Sequence, residues 1–310
     1  MISQLPLFIV NPASGAGRTR QRWPRLADAI DDAGLPPEAV FTERTGHGRE
    51  LAARAIEEGR RTLVAVGGDG TVNEVVSAVL TAGMGEDVRV GTIGMGTGKD
   101  VAKCLGIGRP RAAIRAIVDG NERRIDAGRV ECRDANGDEA VRHFVLEFSA
   151  GWVPEISQSV PRWLKRLGDT APYVIMTMVK MVGPMSRGFT VSIDGVPYDA
   201  RYNSISVHNM EMWGGDLIAM PGAAPDDGLF DVLRWGDLGR LAVLMAVQGQ
   251  RQGGRHLEME GIDHHPARVV ELDADRRSVV DIDGELPGFL PARVTMLPGA
   301  IRFLAPMPAR

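Results

Sequence analysis

Short apolar runs alternate with amphipathic segments in the first third of the chain. Three runs rich in β-branched residues end at glycine or proline, which is typical of buried parallel strands. They cover residues 7–10, 63–66 and 88–93. The segments between them carry apolar residues at three- and four-residue spacing, which predicts helices at residues 20–33, 48–58 and 72–82. The pattern therefore predicts an α/β domain wound from βαβ units.

From about residue 126 the pattern changes to short alternating segments separated by turn residues, which are typical of antiparallel strands. The predicted hairpins and helices occupy residues 191–195, 279–284, 162–182 and 238–248. Two closing strands are predicted at residues 293–296 and 300–304, and the second of them could return to either domain. We predict a change of domain near residue 125.

Composition narrows the class of protein. The 310 residues include 36 basic and 40 acidic side chains, and the formal charge of −4 excludes a generally basic nucleic-acid-binding protein. The 44% apolar and 25% charged residues are typical of a globular protein. Cys104 and Cys132 are too few for a disulfide scaffold or a thiolate zinc site, so we expect reduced thiols in a cytoplasmic protein. No apolar stretch reaches the roughly 18 residues of a membrane span.

The strongest chemical signal is a glycine-rich segment between a predicted strand and a predicted helix. It consists of Gly67, Gly68, Asp69, Gly70, Thr71, Val72 and Asn73. Glycines permit close backbone approach, and N–H groups at a helix N-terminus bind phosphate. Asp69 would repel phosphate directly, so we interpret it as a ligand, directly or through water, of a magnesium ion that neutralises phosphates. Thr71 can cap the helix and Asn73 can donate to phosphate; the alternative is a structural glycine turn.

Two further segments end predicted strands at the same sheet edge, where α/β sheets bind ligands. In residues 94–100, Thr97 can bond phosphate and Asp100 can serve a metal, although helix capping would explain both. The first strand is followed by Asn11, Pro12, Ala13, Ser14 and Gly15, whose amides and hydroxyl can contact phosphate. An ordinary Asn-Pro turn would look the same. None of these segments has the P-loop or the G-x-G-x-x-G spacing.

Taken in order, the three segments resemble the NPxSG, GGDGT and GTGND motifs of the diacylglycerol kinase catalytic family, which includes bacterial lipid kinases related to sphingosine and ceramide kinases. The resemblance covers nearly the whole chain, with Lys99 in place of the asparagine of the third motif. It implies an α/β nucleotide-binding domain of the phosphofructokinase and NAD-kinase type at residues 1–125, completed by residues 299–310. It also implies a mainly antiparallel, β-sandwich-like lipid-substrate domain at residues 126–298. A nucleotide-contacting threonine of the family matches Thr42, with Thr45 as a second candidate.

The second half carries two more segments that resemble the family. Residues 221–231 are similar to a loop that holds a structural magnesium, which implies Asp227 as side-chain ligand with the carbonyls of Ala224 and Leu229. The alternative is an acidic turn that binds no stable metal. The sequence Asp283-Gly284-Glu285 would pass for a hairpin turn, but it resembles the catalytic DGE of the family. The resemblance implies Asp283 as first choice for the catalytic base, with Glu285 as its companion or substitute. Asp126 matches a family aspartate at the domain junction.

These features predict an ATP- and magnesium-dependent lipid kinase that phosphorylates a hydroxyl of diacylglycerol or a relative. We expect it to work peripherally at the inner face of the membrane, with a lipid as partner and no nucleic acid; a homodimer stays open. NAD kinase shares GGDGT, but the third glycine segment and the late DGE argue against it. A nucleotide-binding regulatory protein without catalysis is the other alternative, and Lys99 is its only support.

Overall fold

The apolar runs of the first half form parallel strands. The computed structural model describes residues 5–96, 98–161, 171–215 and 217–307. The strands are β1 (Leu7–Val10), β2 (Ala39–Phe41), β3 (Thr62–Gly67) and β4 (Arg89–Gly94), paired in the order β2-β1-β3-β4. The helices are α1 (Arg18–Asp32), α2 (His47–Glu57), α3 (Asp69–Thr81), α4 (Asp100–Cys104) and α5 (Pro110–Asp119). The predicted α/β class is confirmed.

The predicted helix at 72–82 begins three residues earlier in the structure. Gly68 is the N-cap in an extended conformation, so Asp69, Gly70 and Thr71 form the first turn of α3. The helix is buried on most of its surface because it packs between the parallel sheet and the second half of the chain. This burial explains why its apolar residues are not confined to one stripe.

The second half is built mainly from antiparallel strands, as predicted. They are β5 (Glu122–Arg133), β6 (Glu139–Phe144), β7 (Glu147–Gly151), β8 (Arg187–Ile193), β9 (Val196–Pro197), β10 (Ala200–His208), β11 (Met212–Trp213), β12 (Leu217–Ile218), β13 (Phe230–Gly236), β14 (Ile262–Ala267), β15 (Val269–Ala274), β16 (Val279–Ile282) and β17 (Glu285–Leu304). The helices are α6 (Trp152–Ser159), α7 (Ala171–Lys180) and α8 (Arg240–Arg251), with a short 3-10 helix at Arg255–Glu258. The predicted helix at 162–182 is described only from residue 171.

A single long strand joins the two halves. The two predicted closing strands are one 20-residue strand, β17, whose pairing with β5 shifts register between Leu297 and Ile301. Its last residues run parallel to β4, with Arg302 opposite Arg89. Strands of both halves therefore share one sheet, whose main path is β14-β13-β10-β7-β16-β17-β4-β3-β1-β2. β5, β6, β8, β9 and β15 pair off this path, and β11 and β12 form a separate two-stranded sheet. The predicted domain boundary at residue 125 falls inside β5, and it stays a prediction.

The two faces of the second-half sheet have different surroundings. Phe148, Val207 and Val232 point into an apolar core between sheet layers. The opposite face is covered by helices, with Trp152 and Leu233 in a second apolar cluster. In the part of the chain that the structure describes, no helix combines the length and apolarity needed to span a bilayer.

Candidate active site

The three glycine-containing segments meet at the carboxyl ends of β1, β3 and β4. The N–H groups of Met95 and Gly96 both donate to the Gly67 carbonyl, at 2.7 and 2.9 Å. A Cβ on Gly96 would lie 2.5 Å from the Gly68 Cα and 2.9 Å from the Ser14 Oγ. Only glycine permits so close an approach of two backbones, so the three segments form one continuous wall.

The first segment is tied to the second by side chains. Asn11 Nδ2 donates to Thr71 Oγ1 at 3.3 Å, and Asn11 Oδ1 accepts from the Ala13 N–H at 3.1 Å. Pro12 continues this turn. Gly15 follows with a positive φ of 60°, and a Cβ there would lie 2.9 Å from the Met95 carbonyl oxygen.

Thr42 lies at the same edge, directly after β2. It is buried, and its N–H donates to the Val10 carbonyl at 2.9 Å. Thr97, the phosphate contact predicted from the third segment, lies outside the described residues.

Asp69 and Asp100 link the second and third segments. The Asp69 carboxylate accepts the N–H groups of Asp100 and Val101, both at 3.1 Å, and so caps α4. Asp100 accepts the Gly215 N–H at 2.7 Å and pairs with Lys103 at 3.0 Å. Burial, with the nearby Asp100 charge, raises the pKa of Asp69 to about 6. Both carboxylates therefore hold the loops together.

Asn73 connects the glycine segment to the second half of the chain. Its amide donates to the His143 carbonyl at 2.8 Å and to Asp283 Oδ2 at 2.9 Å, which occupies both amide hydrogens. Its neighbour Val72 packs into the apolar core. The side chain of Asn73, predicted to donate to phosphate, instead holds the DGE turn against the first turns of α3.

The Asp283 carboxylate is saturated with donors. Besides Asn73, it accepts the N–H groups of Val145, Leu146 and Glu147 at 2.9–3.0 Å. Its φ of 50° is in the left-handed region, which the tight turn between β16 and β17 requires. Burial raises the pKa of Asp283 above its usual range, against the opposing effect of these hydrogen bonds.

Glu285 is placed differently on the same turn. Among the residues that the structure describes, no hydrogen bond engages its carboxylate, and the side chain is only partly buried. Burial and the negative charge of Glu74 raise its pKa, while Arg49 and Arg142 oppose the shift. Glu285 therefore has a raised proton affinity and free lone pairs, the properties of a general base.

Similarity to known proteins agrees with this arrangement. A model of the diacylglycerol kinase catalytic domain matches residues 6–130, and one described as the YegS C-terminal NAD kinase beta sandwich-like domain matches residues 149–305. The chain belongs to the diacylglycerol kinase catalytic domain family. The resemblance stated from the sequence motifs is confirmed, and the family is one of kinase-type enzymes.

Curated relatives extend the match over almost the whole chain. A diacylglycerol kinase of Staphylococcus aureus (strain MRSA252) is 25% identical over 302 residues, covering 96% of this chain and 91% of the relative. A diacylglycerol kinase from Staphylococcus carnosus (strain TM300) is 24% identical, and the match covers 96% of this chain and 94% of the relative. A crystal structure of a diacylglycerol kinase from Bacillus anthracis str. Sterne shares the fold, with a TM-score of 0.70 at 18% identity, and covers 97% of each chain. Another crystal structure from that organism has a TM-score of 0.80 at 21% identity, and the match covers 97% of this chain and 95% of that chain.

Hydrogen bonds hold the loop at residues 221–231, for which the family resemblance implies a magnesium ion. Asp126 Oδ2 accepts the Gly228 N–H at 2.7 Å and its Oδ1 accepts the Gly299 N–H at 2.6 Å, so this one carboxylate joins the loop to β17. Asp227 is exposed and its Oδ1 accepts the Leu229 N–H at 2.9 Å. Arg123 pairs with Asp226 at 2.7 Å.

The oxygen donors of this loop suit a hard cation such as magnesium. The described residues contain no cluster of three or more His, Cys, Asp or Glu side chains that could hold a metal. An ion there would depend on Asp227, the carbonyls of Ala224 and Leu229, and water. At the glycine segments, Asp69 and Asp100 each accept one hydrogen bond on each carboxylate oxygen, so both keep lone pairs for a magnesium ion or for its water ligands.

Sequence reasoning missed two buried acids behind the DGE turn. Asp281 Oδ1 accepts the Gly284 N–H at 2.7 Å and so fixes the turn that carries Glu285. Burial raises the pKa of Asp281 to about 7. Burial and the charges of Asp281 and Asp283 also raise the pKa of Glu147 well above its usual range. Asp281 alternates with apolar neighbours in a strand, and only the pairing of β16 with β7, which sets Asp281 opposite Ser149, brings it to the sheet face that carries Glu147.

Proposed function

We propose that the protein is an ATP- and magnesium-dependent lipid kinase that transfers the γ-phosphoryl group to a hydroxyl of diacylglycerol or a related membrane lipid. One observation carries the proposal: Asn73, in the helix that the glycine segment begins, donates to Asp283 at 2.9 Å. This bond fixes the DGE turn beside the wall formed by the three glycine segments. A group that binds phosphates and a group that accepts a proton are thereby held next to each other.

The glycine segments would bind the phosphates of ATP. The N-terminus of α3 offers free N–H groups and the positive end of the helix dipole, which favour an anion. Gly68 and Gly96 pack closely against each other beside the Ser14 hydroxyl, and we propose that phosphates lie against this wall. Magnesium, when bound, would neutralise phosphate charge, with Asp69 accepting hydrogen bonds from its water ligands.

Glu285 is the better-placed general base. Phosphoryl transfer forms a bond between the lipid hydroxyl oxygen and the γ-phosphorus and breaks the bond to the oxygen that leaves with ADP. The hydroxyl proton passes to a carboxylate that has a free lone pair. Asp283 has four hydrogen bonds to lose before it could turn toward a substrate, so we assign it to positioning and Glu285 to proton transfer.

An apolar surface supports a membrane lipid as substrate. Large apolar side chains are exposed along α7, two residues after its end and along α8, namely Ile175, Met178, Val179, Val182, Leu241 and Met245. The two helices are joined where Arg240 donates to the Met181 carbonyl, so the exposed residues belong to one region. Contiguous apolar exposure of this kind is typical of a surface that meets a membrane or another protein. We propose peripheral attachment to a bilayer through this region.

The test is phosphoryl transfer from labelled ATP, with magnesium, to a panel of diacylglycerol, phosphatidylglycerol, sphingosine, ceramide and NAD. We expect a labelled lipid; labelled NAD alone would overturn the proposal in favour of NAD kinase. Glu285→Gln should abolish transfer while keeping the thermal stabilisation by nucleotide. The matched control Glu271→Gln changes an exposed glutamate on β15 and should leave transfer unchanged. Full activity of Glu285→Gln would refute the base assignment.

A further inference from the structure

Five polar side chains form a row across the helix-covered face of the second-half sheet. The polar row consists of Glu147 and Ser149 on β7, Ser206 and His208 on β10, and Asp281 on β16. His208 lies opposite Glu147, and Ser149 lies opposite both Ser206 and Asp281, so all five share one face. Each is buried, with no more than 6% of its surface exposed.

The polar row is incompletely paired. Glu147 Oε2, Ser149 Oγ and His208 Nδ1 have no hydrogen-bond partner among the described residues, and neither does Trp152 Nε1 where β7 leads into α6. Buried polar atoms in folded proteins are almost always paired with protein, water or a ligand. Water or a ligand group would have to pair these orphan atoms on β7, β10 and the start of α6.

The types of orphan atom restrict the ligand. The indole N–H of Trp152 can only donate, whereas the Glu147 carboxyl, the Ser149 hydroxyl and the His208 ring nitrogen can each donate or accept, depending on the proton that they carry. Two acids on the row disfavour a phosphate or another anion, and the indole donor disfavours an ammonium ion. Hydroxyl groups, which donate and accept, satisfy the whole set.

The polar row begins directly at the proposed catalytic turn. Two hydrogen bonds join Glu147 to Asp283. The Glu147 N–H donates to Asp283 Oδ1 at 2.9 Å, and the Asp283 N–H donates to the Glu147 backbone carbonyl at 3.0 Å. Alternate residues of a strand are about 7 Å apart, so Ser149 lies within one sugar ring of Glu147. A headgroup could thus place one hydroxyl at the turn and others on the row.

We propose that the polar row binds an uncharged headgroup with several hydroxyl groups, so that the preferred lipid acceptor carries a polyol or sugar rather than a single hydroxyl. This inference rests on the proposed lipid kinase function. The apolar surface of α7 and α8 would meet the bilayer, and the polar row would receive the headgroup beneath α6.

The kinetic test compares dioleoylglycerol with monoglucosyl dioleoylglycerol as acceptors for the full-length protein. We expect a higher kcat/KM for the glucosyl lipid. Ser149→Ala should lower the ratio of the two kcat/KM values by about tenfold, the effect of one buried hydrogen bond to substrate. Ser192→Ala, on β8 and outside the polar row, should leave the ratio unchanged. An unchanged ratio in Ser149→Ala, or a preference of the wild type for dioleoylglycerol, overturns the inference.

A binding test separates this inference from the kinase proposal. Octyl glucoside below its micellar concentration should raise the Tm of the wild type but not of Ser149→Ala, with octanol as the single-hydroxyl control. Equal shifts in both proteins, or none, would refute the site. If octyl glucoside stabilises only the wild type and neither lipid is phosphorylated, the kinase proposal fails while the polyol site stands.

Discussion

Replacing Asp281 by asparagine should make the protein more stable at alkaline pH. The native environment raises the pKa of this carboxyl from 3.8 to about 7 through burial, so the native state holds a proton that the unfolded chain has released. Stability therefore falls as pH rises from about 4 to about 7, by about 4 kcal/mol if Asp281 acts alone. Asparagine is neutral throughout, and its Oδ1 can still accept the Gly284 N–H.

The assay is denaturant-induced and thermal unfolding of the wild type and Asp281→Asn at pH 5 and pH 8. We expect the variant to be more stable than the wild type by about 1–2 kcal/mol at pH 5 and by about 4 kcal/mol at pH 8, and the larger gain corresponds to roughly 6 °C in Tm for 310 residues. Asp273→Asn, at an exposed position on β15, is the matched control and should show no such difference. An Asp281→Asn variant that is no more stable than the wild type at pH 8 would refute the reasoning.

Three further substitutions test other parts of the structure. Gly96→Ala should abolish nucleotide-induced thermal stabilisation, because the new Cβ would lie 2.5 Å from the Gly68 Cα; retained stabilisation would contradict the close packing of the loops. Asp126→Ala should lower the free energy of unfolding by about 3 kcal/mol, since it leaves two backbone N–H groups unpaired, and urea unfolding would show this. Lys99→Asn should leave the KM for ATP unchanged because the lysine stem packs against Gly94; an altered KM would give Lys99 a part in nucleotide binding.

Local signals predicted β1, β3, β4 and the helices α1, α2 and α3 of the first half, but they missed the short strand β2 and the helices α4 and α5. Buried parallel strands are continuous apolar runs, and the glycines that end β3 and β4 mark the places where the chain turns toward α3 and the third segment. The order of the three motifs along the chain also identified the family. The single strand β17 was predicted as two strands, at residues 293–296 and 300–304; the structure continues the strand across Pro298 and Gly299 with a shift in its register against β5.

The roles within the DGE turn depended on the tertiary structure. Asp283 and Glu285 are both carboxylates two residues apart, and the family resemblance implied Asp283 as first choice for the base. Only in the folded chain do the N–H groups of residues 145–147 and the amide of Asn73 donate to Asp283. Among the described residues, no hydrogen bond engages the Glu285 carboxylate. Hydrogen-bond saturation is a property of neighbours distant in the chain, which no local pattern encodes.

The sequence by itself determined the fold class, the family and the positions of the glycine segments, because strand and helix periodicity and backbone freedom are local properties. The tertiary structure decided what those residues touch. It turned Asp69 and Asp100 into ties between loops and made Asn73 the link between the two halves. It also exposed the polar row, whose members are ordinary strand residues until the register of β7, β10 and β16 brings them to one buried face, where a polar atom without a partner is costly.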